Sequence, residues 1–235
     1  MPGLKAAELL VLWERGATRH ALDRSALLAA YARPELPPET ITELPLGVIT
    51  EILLHLRAAS FGDCIESYFD CRQCGERLEL VLDMRDLLQP TPETDVAART
   101  IEVAGLRVRT PSLLDLASVA NETNSARAVR GLLERCTDHG DIATLSETAM
   151  REVEDALEAA DPNADLAFTV HCETCGCDST AQLDVGELLW DEIEARARAL
   201  LSEVHLLARA YGWRERDILA LSNTRRAAYL AMVDV

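Results

Sequence analysis

The chain has 235 residues, which is long enough for one large domain or two small ones with a sizeable core. Its net charge of -17 argues against nucleic acid or an anionic membrane as the main partner, because both attract clustered Lys and Arg side chains. Hydrophobic residues make up 49% of the chain and aromatic residues only 4%, so the core must consist mostly of Leu, Ala, Val and Ile, which favours helices.

The first region, residues 1–62, is predicted to be helical. Hydrophobic residues spaced three and four apart indicate two helices over residues 4–31, with a break at Gly16. A proline-containing linker separates them from a third helix over residues 46–59. We expect these N-terminal helices to flank a central β unit, which is formed by the motifs described next.

Two copies of one short motif follow, far apart in the chain. The first contains Cys71-x-x-Cys74 and the second Cys172-x-x-Cys175, and a glycine comes directly after each pair. A Leu-Asp pair falls at the same distance beyond each glycine, and a short extended run precedes each pair of cysteines. Each copy is therefore predicted to form a strand, a tight turn called a knuckle, a second strand and the start of a helix.

The segment between the two copies is predicted to be an α/β insertion. It opens with Pro90 and Pro92 and continues into a β-hairpin that turns at Ala104-Gly105. Ser112 is the expected N-cap of the helix that follows.

Two further helices of the insertion are predicted over residues 126–136 and 147–160, and Ser146 with Glu147 is expected to begin the second of them. Acidic residues crowd this part of the chain, which usually marks a solvated helix face and alternatively a docking surface for a basic partner. Between the two helices, Asp138, His139 and Asp141 suggest a second metal site, although a polar turn is the commoner reason for such a cluster.

The C-terminal part is predicted to be a helical bundle led by one long helix over residues 186–210. Trp190 and Leu206 fall outside its hydrophobic stripe, and Trp213 and Tyr229 follow in shorter helices. These four side chains predict a docking surface for a partner protein, with closure of the protein's own small bundle as the alternative.

The spacing of the cysteines predicts a structural metal site. Two thiolates separated by two residues can bind one edge of a tetrahedral ion, and a second such pair completes a site with no open position for catalysis. We therefore predict structural zinc bound by Cys71, Cys74, Cys172 and Cys175. The alternatives are a redox dithiol, an iron–sulfur centre and ordinary buried cysteines.

Three further cysteines are left over. Cys177 lies close enough to replace one of the four ligands, but its counterpart in the first copy is Glu76. Cys64 and Cys136 are predicted to be small buried hydrophobic residues. Seven cysteines without a signal peptide favour a reducing, cytoplasmic compartment, and no uncharged run is long enough to cross a membrane.

No catalytic motif is present, and the five histidines are scattered, so we expect a protein that is not an enzyme and has no small-molecule substrate. The predicted fold class is α+β and mainly helical, with a zinc-ribbon-like β unit built from the two knuckles. The predicted regions are N-terminal helices over 1–62, a first knuckle half over 63–88, the insertion over 89–165, a second knuckle half over 166–186 and C-terminal helices over 187–235.

Several segments together carry a resemblance to a known family. They are Leu9–Gly16, Leu44–Gly47, Phe61-Gly62 before the first cysteine pair, Arg109–Asp115, and the tail that contains Tyr211-Gly-Trp213. With the knuckles, they resemble small proteins encoded with contractile phage tails and phage-tail-like injection systems, a group similar to the baseplate hub assembly proteins of T-even-like phages.

This resemblance implies a non-enzymatic assembly factor, or a minor structural component, of a contractile baseplate. Other baseplate or hub proteins would be its partners, and the assembled particle would be a second location besides the cytoplasm. A thiol-based redox regulator that uses the CxxC pairs is the alternative, and a zinc-ribbon nucleic-acid adaptor is a further one that the charge disfavours.

Overall fold

The computed structural model describes residues 3–88 and 99–233, so Pro90 and Pro92 lie outside the described residues. The helices in this part of the chain are α1 (Ala6–Gly16), α2 (Ala21–Ala32), α3 (Pro38–Glu43), α4 (Leu46–Phe61), α5 (Met84–Leu87), α6 (Leu113–Val119), α7 (Ser125–Cys136), α8 (Glu147–Ala160), α9 (Val185–Tyr211), α10 (Glu215–Leu219) and α11 (Asn223–Val233). The strands are β1 (Cys64–Asp70), β2 (Arg77–Asp83), β3 (Thr100–Val103), β4 (Leu106–Arg109), β5 (Thr137–His139), β6 (Leu166–His171) and β7 (Asp178–Leu183). The predicted mainly helical α+β class is confirmed.

Helix α9 is the axis of the main core. Helices α1, α2 and α4, which precede α9 in the chain, pack against it, and so do α10 and α11, which follow it. Its predicted hydrophobic stripe is buried at five positions, Leu189, Ile193, Ala197, Leu200 and Leu207. The carboxylate of Asp184 caps its first turn by accepting from Glu187 N at 2.9 Å, and Gly212 ends it in the left-handed conformation.

Trp190 corrects one prediction, because it belongs to the core and not to a partner surface. It is only 3% exposed and lies against α1 and α2. A Cβ added at Gly16 would lie 2.4 Å from the indole ring, so the glycine that ends α1 also makes room for Trp190. The guanidinium of Arg24 lies 4.5 Å from the ring centroid, a cation–π contact that covers another side of the indole.

The segment expected to be a linker contains a short helix. Pro38 is the first residue of α3, where a missing N–H costs nothing, and Ile41 is buried beneath it. Helix α4 then begins at Leu46 as predicted and continues two residues beyond the predicted end, to Phe61. Gly62 ends it with a φ of +99°, a value that favours glycine.

The two knuckle-containing segments form matching β-hairpins. In the first, β1 and β2 are antiparallel with Tyr68 opposite Glu79; in the second, β6 and β7 are antiparallel with Thr169 opposite Thr180. The pairing register is therefore the same in both copies when the two CxxC motifs are superimposed. Each hairpin leads directly into a helix, α5 or α9, as the repeat predicts.

The inner faces of both hairpins are joined to the main core. Ile65 of the first hairpin and Leu166 of the second are buried in the same cluster as the helices. Leu87 of α5 and Val185 of α9, which directly follow the hairpins, are buried there too. The two hairpins that contain the CxxC motifs are thus held at their bases by the helical core.

The insertion has a second hydrophobic cluster. Its predicted hairpin turns at Ala104 and Gly105, both with positive φ, as a two-residue turn requires. A third strand, β5, pairs with β4 in the segment that was expected to be only a polar turn. The cluster is formed by Leu106, Val108, Leu133, Cys136, Ile142 and Val153.

The acidic helix of the insertion has its charged side chains in solvent. Ser146 caps α8 by accepting from Ala149 N at 3.2 Å, as predicted, and Val153 is the buried residue of the helix. Glu154 and Glu158 are among its exposed acidic side chains, as expected of a solvated face. Within the described ranges, no helix is both long and apolar enough to span a bilayer.

Two polar side chains attach the end of the insertion to α4, directly before the second hairpin. The buried carboxylate of Asp161 accepts from Gly47 N at 2.9 Å, within the first turn of α4. Asn163, fully buried, donates to Glu51 at 2.7 Å. These contacts fix the start of β6 relative to α4 and so help to position the second CxxC pair.

A buried carboxylate organises the junction between β4, α6 and α7. Asp115 is 1% exposed and accepts from Arg109 at 2.6 and 2.9 Å, from Arg135 at 3.3 Å and from Ser112. Burial alone would raise the pKa of Asp115, but the hydrogen bonds from Arg109 and Ser112 outweigh it and hold the pKa well below its usual range. Ser112 is also the N-cap that the sequence predicted.

Because of this carboxylate, the free energy of unfolding should decrease as the pH falls. A folded-state pKa below the unfolded value of about 3.9 gives stability that is present at neutral pH and lost as the pH falls toward the folded pKa. Asp115→Asn should therefore lower the free energy of unfolding at pH 7 by about 1–3 kcal/mol and flatten its decline between pH 5 and pH 3. Urea unfolding across this range measures both effects; an unchanged pH profile would contradict the role given to Asp115.

Candidate metal centre

The two hairpins bring their cysteines into one cluster. The Sγ atoms of Cys71, Cys74, Cys172 and Cys175 all lie within 4.8 Å of one another. Cys71 Sγ lies 3.7 Å from Cys175 Sγ, and Cys74 Sγ lies 3.6 Å from Cys172 Sγ. These two contacts therefore join the two hairpins, although each CxxC pair belongs to one hairpin only.

The cluster has an approximate twofold symmetry. Exchanging the two hairpins converts the Cys71–Cys175 contact into the Cys172–Cys74 contact, and the two distances agree within 0.1 Å. Burial follows the same symmetry, since the first cysteine of each pair is buried and the second is exposed. The symmetry is what the repeated motif predicts.

The knuckle turns explain why a glycine follows each pair. In the first turn, Gly75 N donates to Cys71 O at 2.8 Å, and Cys71 N donates to the carbonyl of Glu76 at 2.8 Å. In the second, Gly176 N donates to Cys172 O at 2.7 Å. Both glycines have a φ above +70°, which a side chain would strain.

Backbone N–H groups favour a thiolate in the first turn. The N–H groups of Cys74 and Gln73 point toward the sulfur of Cys71 and lower its pKa to about 6. At Cys175 the N–H of Cys177 acts in the same direction, but desolvation and the hydrogen bonds with the other three thiols outweigh it and raise the pKa to about 12. Four thiolates this close together repel one another, so full ionisation of the set requires a cation.

The geometry fits a tetrahedral ion. Zinc binds thiolates at about 2.3 Å, which separates the sulfurs of a tetrahedral site by roughly 3.8 Å. The contacts between the hairpins, 3.7 and 3.6 Å, are close to this value. Four sulfurs complete the coordination of such an ion, so this arrangement suits a structural site and leaves no position for a substrate.

The remaining cysteines differ in their environments. Cys177 lies outside the cluster, with its sulfur 3.6 Å from the carbonyl of Asp178. Cys136 is fully buried as predicted, and burial raises its pKa to about 11. The prediction for Cys64 is wrong, because this residue begins β1 on the outward face of the hairpin and is exposed.

A second metal site is not formed among the described residues. Asp138 and His139 do not join any group of potential ligands close enough to bind one ion, and the four-cysteine cluster is the group found in the described part of the chain. His139 instead belongs to β5, opposite Arg107.

The cluster gives an expected response to oxidation. If one ion binds all four thiolates, mild oxidation should release the metal and unfold the protein, since the two hairpins are then no longer joined. Metal release and circular dichroism, followed during titration with hydrogen peroxide, measure both events. Reversible formation of a Cys71–Cys74 disulfide with the fold intact would instead support the redox regulator.

The other residues predicted to meet a partner lie at the far end of α9. Leu206 is 38% exposed, as a surface residue would be. Trp213 and Tyr229 are half-buried and pack on each other and on Tyr211, with ring centroids 4.7 to 5.8 Å apart. Much of their apolar surface therefore closes the protein's own terminal bundle.

Sequence patterns did not predict the anchor of this bundle. Arg226 of α11 is 1% exposed, forms an ion pair with Glu203 of α9 and donates to Asn223 at 2.7 Å. A single arginine carries no periodic signal that would mark it as buried.

Comparison with known proteins identifies a family. The sequence model described as T4 bacteriophage base plate protein matches residues 26–186, which is more than half of the chain. The matched region begins in α2, includes both hairpins and all four clustered cysteines, and ends at the start of α9. No curated protein and no solved structure matches the chain.

Proposed function

Because the chain belongs to the T4 bacteriophage base plate protein family, we propose that it is a non-enzymatic assembly factor or minor structural component of a contractile tail or injection-system baseplate. The observation that carries this proposal is the family match, which includes both hairpins. The arrangement of the cysteines supports a structural role for these hairpins, since four thiolates leave no open coordination position for catalysis.

We further propose that the bound ion is zinc and that its role is to fix segments that are distant in sequence. The cluster joins residues on either side of the insertion, and both hairpins continue into the main core. A rigid connection of this kind would hold the surrounding helices in one arrangement, ready for other baseplate proteins. The protein would be made in the cytoplasm and act there or in the assembled particle.

Part of the partner surface is proposed to lie on the C-terminal helices, at Leu206, Trp213 and Tyr229. The near balance of charge in this region supports the idea, because burying it costs less desolvation than burying the acidic insertion. A chain that ends at Tyr211 tests it. Retained metal and fold with loss of baseplate binding would support the surface, whereas unfolding or unchanged binding would place these residues in the protein's own bundle.

A gene deletion tests the proposed function. In a host that produces the particle, loss of this protein should abolish complete baseplates in electron micrographs, and the normal chain should restore them. The Cys71→Ser chain should fail to restore them, whereas the matched Cys177→Ser chain should succeed because Cys177 lies outside the cluster. Normal numbers of tails after deletion would contradict the proposal.

A further inference from the structure

The outward face of the first hairpin has two large apolar side chains in solvent. Tyr68 on β1 is 59% exposed and Val81 on β2 is 70% exposed. They are diagonal neighbours on one face, because Tyr68 pairs with Glu79 and Val81 pairs with Glu66 in the antiparallel register.

The second hairpin shows that the fold does not require these side chains. With the CxxC motifs superimposed, Tyr68 corresponds to Thr169 and Val81 corresponds to Gln182. Both counterparts are exposed and occupy the same register. A threonine and a glutamine are therefore enough to form this face of a knuckle hairpin.

The residues paired with these two positions also differ between the hairpins. On the first hairpin, Glu79 and Glu66 lie opposite Tyr68 and Val81, and both carboxylates are exposed. Their counterparts in the second hairpin are the uncharged Thr180 and Ala167. The apolar pair therefore has a carboxylate directly opposite each member, whereas the equivalent positions of the second hairpin are uncharged.

Local contacts do not cover the pair. Arg77 lies 5.6 Å from the centroid of the Tyr68 ring and forms an exposed ion pair with Asp70 at 3.3 Å, yet Tyr68 keeps more than half of its surface in solvent. Tyr and Val are good strand formers, but strand propensity alone does not explain the pair, since Thr169 has comparable propensity without the apolar surface.

From this asymmetry between two copies of one hairpin, we propose that the outward face of β1–β2 docks a baseplate protein whose apolar contact residues are flanked by Lys or Arg. The apolar pair would form the dry centre of the contact, and the surrounding carboxylates would select a basic rim. This inference rests on the proposed baseplate function and adds a surface distinct from the C-terminal helices.

The test gives the first hairpin the two side chains that the second hairpin has at the equivalent positions. A chain with Tyr68→Thr and Val81→Gln carries the side chains that the second hairpin already tolerates, so its metal content and urea transition should remain those of the normal chain. Its recovery in purified baseplates or baseplate intermediates, measured by quantitative mass spectrometry in the producing host, should fall about tenfold or more. The matched control, Thr169→Ala with Gln182→Ala, should be recovered normally.

A second measurement keeps Tyr68 and Val81 in place. A photo-reactive residue introduced at Glu79 should cross-link to a neighbouring baseplate protein at a site flanked by Lys or Arg, and the same residue at Thr180 should not. Normal recovery of the Tyr68→Thr/Val81→Gln chain, or a cross-link to an acidic or wholly apolar site, would overturn the docking face alone. Absence of the normal chain from baseplates and their intermediates would overturn the proposed function as well.

Discussion

Replacing Cys71 or Cys175 with serine is expected to remove the metal and to lower the free energy of unfolding by on the order of 5 kcal/mol or more. Purified normal protein should contain about one zinc per chain, and either variant should contain much less. Three thiolates bind zinc less tightly than four, and the binding free energy of a structural site is also folding free energy.

The effect should reach beyond the knuckles. Ile65 and Leu166, at the bases of the two hairpins, are buried in the same cluster as the helices, so separating the hairpins exposes part of the main core. We therefore expect one cooperative loss of structure rather than local fraying. Metal analysis and urea unfolding, followed by circular dichroism, measure the two parts of the prediction.

The chain offers matched controls for these variants. Cys177→Ser and Cys64→Ser make the same chemical change outside the cluster, and both should retain the metal and the normal unfolding transition. Freshly reduced normal protein that was never exposed to a chelator and yet contains no metal would refute the metal-centre hypothesis. So would a Cys175→Ser chain with unchanged stability.

Truncation of Trp190 to alanine is expected to destabilise the protein by about 3–5 kcal/mol. The indole is almost fully buried against α1 and α2, and Gly16 has no side chain because the ring occupies that space. Removing the ring leaves a cavity beside Gly16 and also ends the cation–π contact with Arg24. Urea unfolding at pH 7 provides the measurement.

Leu206→Ala is the comparison for this variant, because Leu206 lies on the same helix and is 38% exposed. Its effect on the free energy of unfolding should stay within about 0.5 kcal/mol. If Trp190→Ala kept normal stability and instead weakened binding to a baseplate protein, the original prediction of a partner surface at Trp190 would be right after all.

The repeat made much of the fold predictable. Two CxxC-Gly motifs with matching residues downstream predicted two equivalent hairpins, each followed by a helix, and the structure has both in the same register. Local capping signals were equally informative: Ser112 and Ser146 cap the helices that they were expected to cap. Such signals are short-range, so a single sequence contains all of the information that they need.

Features that depend on contacts between distant segments were harder to predict. Trp190 lies off the hydrophobic stripe of α9 and is buried only because α1 and α2 approach that side of the helix. Strand β5 forms because β4 offers it an edge, and its three residues have no strand pattern of their own. The burial of Asp115 similarly requires two arginines, one from β4 and one from α7, and no local sequence pattern predicts that they meet this carboxylate.

The separation of the two cysteine pairs also sets an order of events during synthesis. Cys71 and Cys74 leave the ribosome first, followed by the whole insertion, and only then by Cys172 and Cys175. Until Cys175 appears, the nascent chain offers at most three of the four thiolates of the cluster, so an ion could be bound by the complete set only after the whole insertion has been made. A chain that stops before Cys175 could therefore not close, through a site of four thiolates, the loop that contains the insertion.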